Sequence, residues 1–322
     1  LKGFLERNES TDIDTTAAHY ALAKELEDLG LYETAFEHLQ TGAAQMRQRS
    51  NYSVERDRKL FTELQAWFTR SCHDVGPSEG EEGPVFILGM PRTGSTLTDR
   101  ILSSHSEVES VGELMCFKRA VEELCGGQGQ ADFFVSFFGQ ASSELPYEDI
   151  GNRYREMLSP LTGGERYFID KMPMNYAFVG LIARALPGAR FIHTVRNPMD
   201  TCFSNYKQMF GEGYYGYSYG LEELAEHYKL YRKLMEFWCQ QLPGRIYDLQ
   251  YEQLVAQPEA EVRKLLHWLD LDWQAGCMDF HKNAAAVNTA SISQVRQPIY
   301  RGSVEKWRKF EAQLGSLQAA LG

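Results

Sequence analysis

The sequence lacks a surplus of positive charge, and this absence excludes a class of partners. Its 322 residues hold 33 lysines and arginines against 44 aspartates and glutamates, so the formal net charge is −11. A protein that binds nucleic acid or an anionic membrane over a broad surface needs a basic face. The composition therefore argues against such partners and leaves room for one small polyanion in a locally basic cleft.

Cysteine patterns typical of disulfides or metal sites are missing as well. The six cysteines are scattered, with no C-x-x-C pair and no histidine–cysteine cluster at zinc spacing. We therefore expect free thiols, no metal site and a reducing, cytoplasmic location. No apolar run approaches the roughly 18–20 residues of a membrane span, and no secretory leader is visible. Since the chain opens with Leu1-Lys2-Gly3 and not with methionine, we expect it to be a fragment.

Proline and strand-like apolar runs are absent from residues 1–70. Apolar residues recur there at helical spacing over 18–29 and 35–46, with Gly30 between them, which predicts a helical hairpin. The pattern resembles one tetratricopeptide repeat, and an unrelated hairpin remains the alternative. One such unit cannot bury both of its faces, so either further repeats precede it or it packs on the following domain. We predict a small all-α, tetratricopeptide-like region over 1–75.

The character of the sequence changes after a linker, residues 76–84, that is rich in glycine, proline and glutamate. Apolar runs at Val85–Leu88, Tyr167–Asp170 and Phe191–Val195 each predict a strand that is followed by turn residues and a helical stretch. Short apolar strands that alternate with amphipathic helices indicate a parallel sheet. The predicted class of the domain 85–322 is therefore α/β, with a P-loop-type parallel sheet flanked by helices.

A phosphate loop is predicted between the first of these strands and the helix after it. Residues 89–96 read Gly-Met-Pro-Arg-Thr-Gly-Ser-Thr, a pattern whose backbone N–H groups and helix N-terminus suit an anion. The position of the Walker lysine holds Ser95, and the basic residue of the loop is Arg92. A nucleotide kinase needs that lysine. The loop therefore predicts an anion site without conventional ATP hydrolysis.

Two further cations occupy positions equivalent to that of Arg92. Lys171 and Arg196 also follow predicted strands, and ligands of an open parallel sheet bind outside the carboxyl ends of its strands. We therefore expect the three cations to converge on one crevice. This explains how an acidic protein could bind a polyanion.

The loop, followed by Gly112-Glu113, resembles the sulfotransferases that depend on 3′-phosphoadenosine 5′-phosphosulfate (PAPS). The match is best to the tyrosylprotein sulfotransferases and to bacterial sulfotransferases joined to tetratricopeptide repeats, and it runs from Pro84 to about Phe310. The resemblance implies in-line transfer of a sulfuryl group from PAPS to an acceptor hydroxyl, without a metal. The nucleotide product would be 3′-phosphoadenosine 5′-phosphate (PAP). The acceptor stays open between a protein tyrosine, a sugar and a small-molecule alcohol.

The resemblance also implies roles for individual residues. Glu113 would be the general base, and Arg92 and Lys171 would stabilise the leaving phosphate and the transferred group. The donor-binding residues that it carries over are Arg92, Thr93, Gly94, Ser95 and Thr96 on the 5′ side, Arg196 and Ser204 at the 3′-phosphate, and Tyr251, Ser291 and Lys306. A further arginine of the tyrosylprotein sulfotransferases falls on Gln208, so either that contact is missing or Lys207 replaces it.

Two alternatives concern the base and the function. His193 and His105 are alternative bases, because cytosolic sulfotransferases use a histidine, although His193 lies within an apolar strand and His105 at a helix end. The competing functions are a P-loop nucleotide or small-molecule kinase and a repeat-based interaction module whose sulfotransferase-like domain is inert.

Overall fold

The protein forms two compact units, each assembled from separate stretches of the chain. In the computed structural model, one unit takes residues 1–58, 197–231 and 302–322, and the other takes 59–196 and 232–301. The structure describes residues 13–71, 83–127, 133–140, 145–163, 165–211, 215–283, 295–300 and 302–322. Most of the predicted linker lies outside these ranges, and the three predicted domain ranges stay a prediction.

The second unit is built on a parallel sheet of five strands within the described residues. The strands are β1 (Val85–Leu88), β2 (Val108–Gly112), β3 (Tyr167–Lys171), β4 (Arg190–Val195) and β5 (Ile246–Gln250), and their order in the sheet is β2-β3-β1-β4-β5. Each neighbouring pair runs parallel. All four residues of the central strand β1 are buried, as expected for a parallel strand covered on both faces.

Alternate side chains of β1 reach the two faces of the sheet. Val85 and Ile87 belong to an apolar cluster with Leu265 and Leu266 of the helix Pro258–Trp268. On the opposite face, the ring of Phe86 stacks on that of Tyr154 from the helix Tyr147–Leu158, with the centroids 5.8 Å apart. The predicted α/β class, a P-loop-type parallel sheet flanked by helices, is confirmed.

The remaining helical segments surround this sheet or belong to the first unit. Those that contribute to the second unit are Val54–Ser71, Ser95–Leu102, Cys116–Cys125, Phe133–Gln140, Val179–Ala185, Leu221–Gln241 and Tyr251–Ala256, with 3₁₀ segments at Pro173–Ala177 and Ala275–Lys282. No helix in the described ranges combines the length and the apolar character that a bilayer crossing requires. The cytoplasmic location stays a prediction.

The first unit contains the predicted N-terminal helical hairpin. Its helices are Ile13–Asp28 and Tyr32–Arg49, and the unit also holds Pro198–Tyr206, Gly315–Leu321 and the 3₁₀ segments Gly216–Tyr219 and Lys306–Gln313. Phe36 of the hairpin packs on Tyr206 and Phe310, with ring centroids 6.2 and 6.4 Å apart. The hairpin thus buries one face against segments from much later in the chain. Its assignment as a tetratricopeptide repeat stays a prediction.

A buried acid at the end of β3 makes stability depend on pH. The Asp170 side chain is fully buried and accepts hydrogen bonds from the Tyr154 hydroxyl at 3.0 Å and the Asn175 amide at 3.3 Å. Burial raises its pKa from 3.8 to about 7. The stability contributed by protonated Asp170 is therefore complete below pH 3.8 and is lost as the pH rises through about 7.

We expect Asp170→Asn to gain stability relative to the wild type as the pH rises from 4 to 8, by on the order of 4 kcal/mol, because three pKa units correspond to that free energy. Urea unfolding of both proteins at several pH values measures the difference. Asp272→Asn, at an exposed position, controls for the loss of one formal charge. A stability difference between Asp170→Asn and the wild type that does not change with pH would contradict the assignment.

Candidate active site

Five segments that carry chemistry lie at one edge of the sheet, because each lies at or directly after the carboxyl end of a strand. Across that edge, the strand order places Glu113, Lys171, the phosphate loop, Arg196 and Tyr251 in this sequence. Neighbouring strands are about 4.8 Å apart, so the five segments stand side by side. The edge is the position where ligands of open parallel sheets bind. The structure therefore brings the three cations Arg92, Lys171 and Arg196 to neighbouring strand ends.

Left-handed backbone conformations shape the phosphate loop. Arg92 has φ 68° and Gly94 has φ 103°, and Gly94 directly precedes the helix Ser95–Leu102. Such alternation of backbone conformation produces concavities lined by N–H groups, which suit anions. Ser95 and Thr96 are buried in the first turn of the helix, where backbone N–H groups have no partner within the helix.

Thr93 fastens the loop to the neighbouring strand. Its buried hydroxyl donates to the carbonyl of Met90 at 2.7 Å and lies 2.7 Å from the hydroxyl of Thr194 on β4. The Thr194 hydroxyl in turn lies 3.3 Å from the carbonyl oxygen of Leu88. The side chain of Thr93 therefore helps to fix the conformation of the loop.

Two arginines make the loop locally basic. Arg196 is 9 % exposed, and its Nη1 donates to the Arg92 carbonyl at 2.9 Å while its guanidinium lies 4.8 Å from the centre of the Tyr251 ring. Burial, followed by the repulsion of Arg196, lowers the pKa of Arg92. An anion bound beside both arginines would relieve their mutual repulsion. The pair supplies local positive charge in a chain whose net charge is −11.

On the other side of the loop, Lys171 and Glu113 form an ion pair. The lysine side chain is 2 % exposed, whereas the glutamate side chain is 33 % exposed. A buried ammonium is tolerated only with a partner charge, which explains why the carboxylate is held over it. Glu113 thus combines an acceptor for a proton with access from solvent, and Lys171 places a fixed positive charge beside it.

Gly94 is constrained by Tyr251. A Cβ atom at Gly94 would lie 2.7 Å from a ring carbon of Tyr251, in addition to the strain of its φ. For PAP, the product that the resemblance implies, we expect Gly94→Ala to weaken binding by at least about tenfold, since both the loop and the ring must move. Calorimetric titration with PAP measures the loss.

Gly30→Ala is the matched control for this variant. Gly30 also has a left-handed φ, of 78°, but a Cβ there meets nothing within 4 Å. The control therefore carries the backbone strain without the clash, and it lies in the first unit. PAP affinities that are equal in the two variants would contradict the role given to the contact between Gly94 and Tyr251.

Ser204 and Lys306 lie in the first unit, on segments that meet through Asp200. Ser204 is half-buried on the helix Pro198–Tyr206, which also carries Asp200. The Asp200 carboxylate accepts hydrogen bonds from the backbone N–H groups of Glu305 at 2.7 Å and Trp307 at 3.3 Å. It thereby caps the 3₁₀ segment that Lys306 begins. Asp200 is a positioning residue that the sequence analysis did not identify.

Lys207 has an acidic partner within the first unit. Its ammonium lies 2.9 Å from a carboxylate oxygen of Glu27 and 4.9 Å from the centre of the Phe203 ring. Gln208, where the tyrosylprotein sulfotransferases have an arginine, donates to the carbonyl of Met209. Ser291 lies outside the described residues.

The two histidines considered as alternative bases are both held by neighbouring groups. His193 Nδ1 lies 2.7 Å from Asp248 Oδ1, and the two residues are paired in register between β4 and β5. His105 Nε2 lies 2.9 Å from the carbonyl oxygen of Asp272, and its Nδ1 accepts the N–H of Glu107. These contacts favour the structural interpretation of both rings. In the described part of the chain, no three His, Cys, Asp or Glu side chains are grouped as metal ligands.

The fold and the edge residues define an α/β protein with a phosphate loop, and sequence comparison assigns its family. A family model described as "Sulfotransferase family" matches residues 84–275, which is more than half of the chain and includes every edge residue described above. The chain belongs to the sulfotransferase family, and the resemblance found in its motifs is confirmed. The link to tetratricopeptide repeats stays a prediction.

Individual relatives agree with this assignment. An uncharacterized protein of Aquifex aeolicus is 33% identical over 92% of this chain, which spans 40% of that protein. A putative protein-tyrosine sulfotransferase of Caenorhabditis briggsae is 24% identical over 69% of this chain and 80% of its own length. The sulfotransferase domain of the Synechococcus PCC 7002 olefin synthase matches the fold over 72% of this chain and 90% of that domain, with a TM-score of 0.52 and 20% identity.

Proposed function

We propose that the protein transfers a sulfuryl group from PAPS to an acceptor hydroxyl. The order of residues across the sheet edge carries this proposal. The phosphate loop stands in the middle, with the pair Lys171 and Glu113 on one side and the cation Arg196 with Tyr251 on the other. PAPS, when bound, supplies a sulfuryl group joined to its 5′-phosphate in a mixed anhydride.

The donor set around the loop suits this nucleotide. The loop and the first turn after it present N–H groups to a 5′-phosphate, and the buried guanidinium of Arg196 presents a rigid fork of donors to a 3′-phosphate. Tyr251 orients that guanidinium through its ring. The two phosphates would thereby occupy the loop and the β4 side of the edge, which leaves the β3 side for the transferred group and the acceptor.

On that side, Glu113 would take the proton from the acceptor hydroxyl as general base. Proton uptake neutralises the carboxylate that faces Lys171. The ammonium, buried where charges interact strongly, is then available to stabilise the negative charge on the bridging oxygen, together with Arg92. Loss of the acceptor proton and stabilisation of the leaving group are thus coupled through one ion pair.

A peptide tyrosine is the acceptor that we propose. Its support is the name that the Caenorhabditis briggsae relative carries, together with that of the protein-tyrosine sulfotransferase 1 of Danio rerio, which is 22% identical over 69% of this chain. Glu113 is one-third exposed, so a side chain that projects from a peptide can reach it from solvent.

Two measurements test the function. Calorimetry with PAPS and with Mg·ATP should show binding of PAPS, whereas preference for Mg·ATP would favour the kinase. Transfer of labelled sulfate from PAPS is then assayed with tyrosine peptides, glycans and small alcohols. We expect sulfated tyrosine peptide. Transfer to a glycan or an alcohol would retain the reaction and replace the acceptor, and no transfer to any of them would favour the interaction module.

A further inference from the structure

Asp99 is a buried carboxylate that the proposed reaction does not use. It lies on the helix after the phosphate loop and is 7 % exposed. Its Oδ1 accepts a hydrogen bond of 2.5 Å from the hydroxyl of Ser110 on β2. The contact ties the helix of the loop to the strand that leads to Glu113.

Ser110 passes this contact on to the backbone before Glu113. Its oxygen accepts the N–H of Gly112 at 3.2 Å. In the pairing with β3, Ser110 faces Ile169 and Gly112 faces Asp170, so the register shifts between them. Gly112 takes φ 74° with nothing near its missing Cβ. The register shift is a bulge, and bulges re-aim the residues that follow them.

We propose that Asp99, acting through Ser110, is a positioning residue that fixes the bulge at Gly112 and thereby holds the Glu113 carboxylate over Lys171. This inference rests on the proposed function, because it concerns the base of that reaction. The carboxylate fixes the direction of the Ser110 hydroxyl, which leaves the oxygen lone pairs free to accept the Gly112 N–H. A bulge held in one conformation presents the base in one orientation.

The electrostatics of Asp99 connect it with the same ion pair. Burial raises the pKa of Asp99, and the charge of Glu113 adds to this, although the hydrogen bond from Ser110 and the charges of Lys171 and Arg100 act in the opposite direction. Lys171 therefore interacts electrostatically with Asp99 as well as with Glu113.

Ser110→Ala is the main test, because it removes the relay and leaves both carboxylates. We expect kcat for sulfuryl transfer from PAPS to fall by about tenfold, since a base displaced by a fraction of an ångström loses much of its efficiency, while KM for PAPS changes by less than about twofold. Ser110→Thr keeps the hydroxyl on the strand and should restore kcat. Ser103→Ala is the matched control, because Ser103 is a half-buried serine directly after the helix Ser95–Leu102 that carries Asp99.

A double-mutant cycle with Glu113→Gln separates positioning from general stability. In the Glu113→Gln background, Ser110→Ala should lower the residual rate no further, because the group that it positions is gone. Asp99→Asn should lower kcat in the same way, whereas kcat of the Ser103→Ala control should match the wild type. If Asp99→Asn fails to fold, the double-mutant cycle of Ser110→Ala and Glu113→Gln still tests the proposal.

The proposal is overturned if Ser110→Ala lowers the rate equally in both backgrounds, or raises KM for PAPS while kcat stays constant. It is also overturned if Glu113→Gln retains the wild-type rate, and in that case the proposed base fails with it. A large loss in Glu113→Gln with a wild-type rate in Ser110→Ala would refute the positioning role alone. The two failures are therefore distinguishable.

Discussion

Replacing Glu113 with alanine or glutamine is expected to lower kcat by at least about 10²-fold and to leave the affinity for PAPS nearly unchanged. The size follows from the usual contribution of a positioned general base. The unchanged affinity follows from the order of the sheet edge, since Glu113 and the Arg196 side lie on opposite sides of the phosphate loop. Steady-state rates with labelled PAPS and calorimetry with PAP measure the two quantities separately.

Glutamine isolates the effect on the rate better than alanine does, because it keeps a polar partner for the buried ammonium of Lys171. Alanine leaves that ammonium without its carboxylate, and such a change in a buried pair costs stability as well as rate. Glu107→Gln is a suitable control, because Glu107 precedes β2 and pairs with Arg166 at 3.7 Å. Turnover near the wild-type value in Glu113→Gln would remove the base from the mechanism.

Replacing Arg196 with alanine is expected to abolish most of the preference for PAPS over adenosine 5′-phosphosulfate, which lacks the 3′-phosphate. A buried, charge-assisted contact of this kind contributes about 1.5–3 kcal/mol, or roughly 10- to 10²-fold in affinity. Arg196 also holds the carbonyl of Arg92, so the affinity for both nucleotides should fall as the loop loosens. The ratio of the two affinities isolates the contribution of the 3′-phosphate.

Arg263→Ala is the matched control for that experiment. Its guanidinium lies 3.8 Å from the centre of the Trp273 ring and pairs with Glu259, so it removes another arginine held over an aromatic ring. The nucleotide preference of this variant should equal that of the wild type. An unchanged preference in Arg196→Ala would instead place the 3′-phosphate elsewhere.

The sequence predicts the central strands of the sheet better than the two outermost strands. β1, β3 and β4 are apolar runs because neighbours cover them on both sides, and all three are predicted within one residue. β2 and β5 are the edge strands, and their sequences, Val-Glu-Ser-Val-Gly and Ile-Tyr-Asp-Leu-Gln, mix polar and apolar residues. Their partly solvated surroundings remove the continuous hydrophobic signal that identifies a central strand.

The candidate site also has a part that the sequence predicts and a part that it does not. The residues that follow strands could be placed at one edge in advance, because the connectivity of a parallel sheet determines where carboxyl ends meet. The contact between Thr93 and Thr194, and the one between Asp99 and Ser110, could not be predicted. Each depends on how a loop or a bulge sits against a neighbouring element. The glycine at 112 is the single local signal, and it identifies a turn without naming the side chain that holds it.

The interleaving of the two units has a consequence for how the chain is made. Helices from residues 13–49 belong with segments 197–231 and 302–322, which leave the ribosome much later. The first unit therefore cannot be completed until residues 302–322 have been made, and its early helices lack their apolar partners in the meantime. Pairing of such distant segments is slow compared with local folding. The nascent chain is thus open to misassembly for longer than a chain whose domains follow one another in sequence.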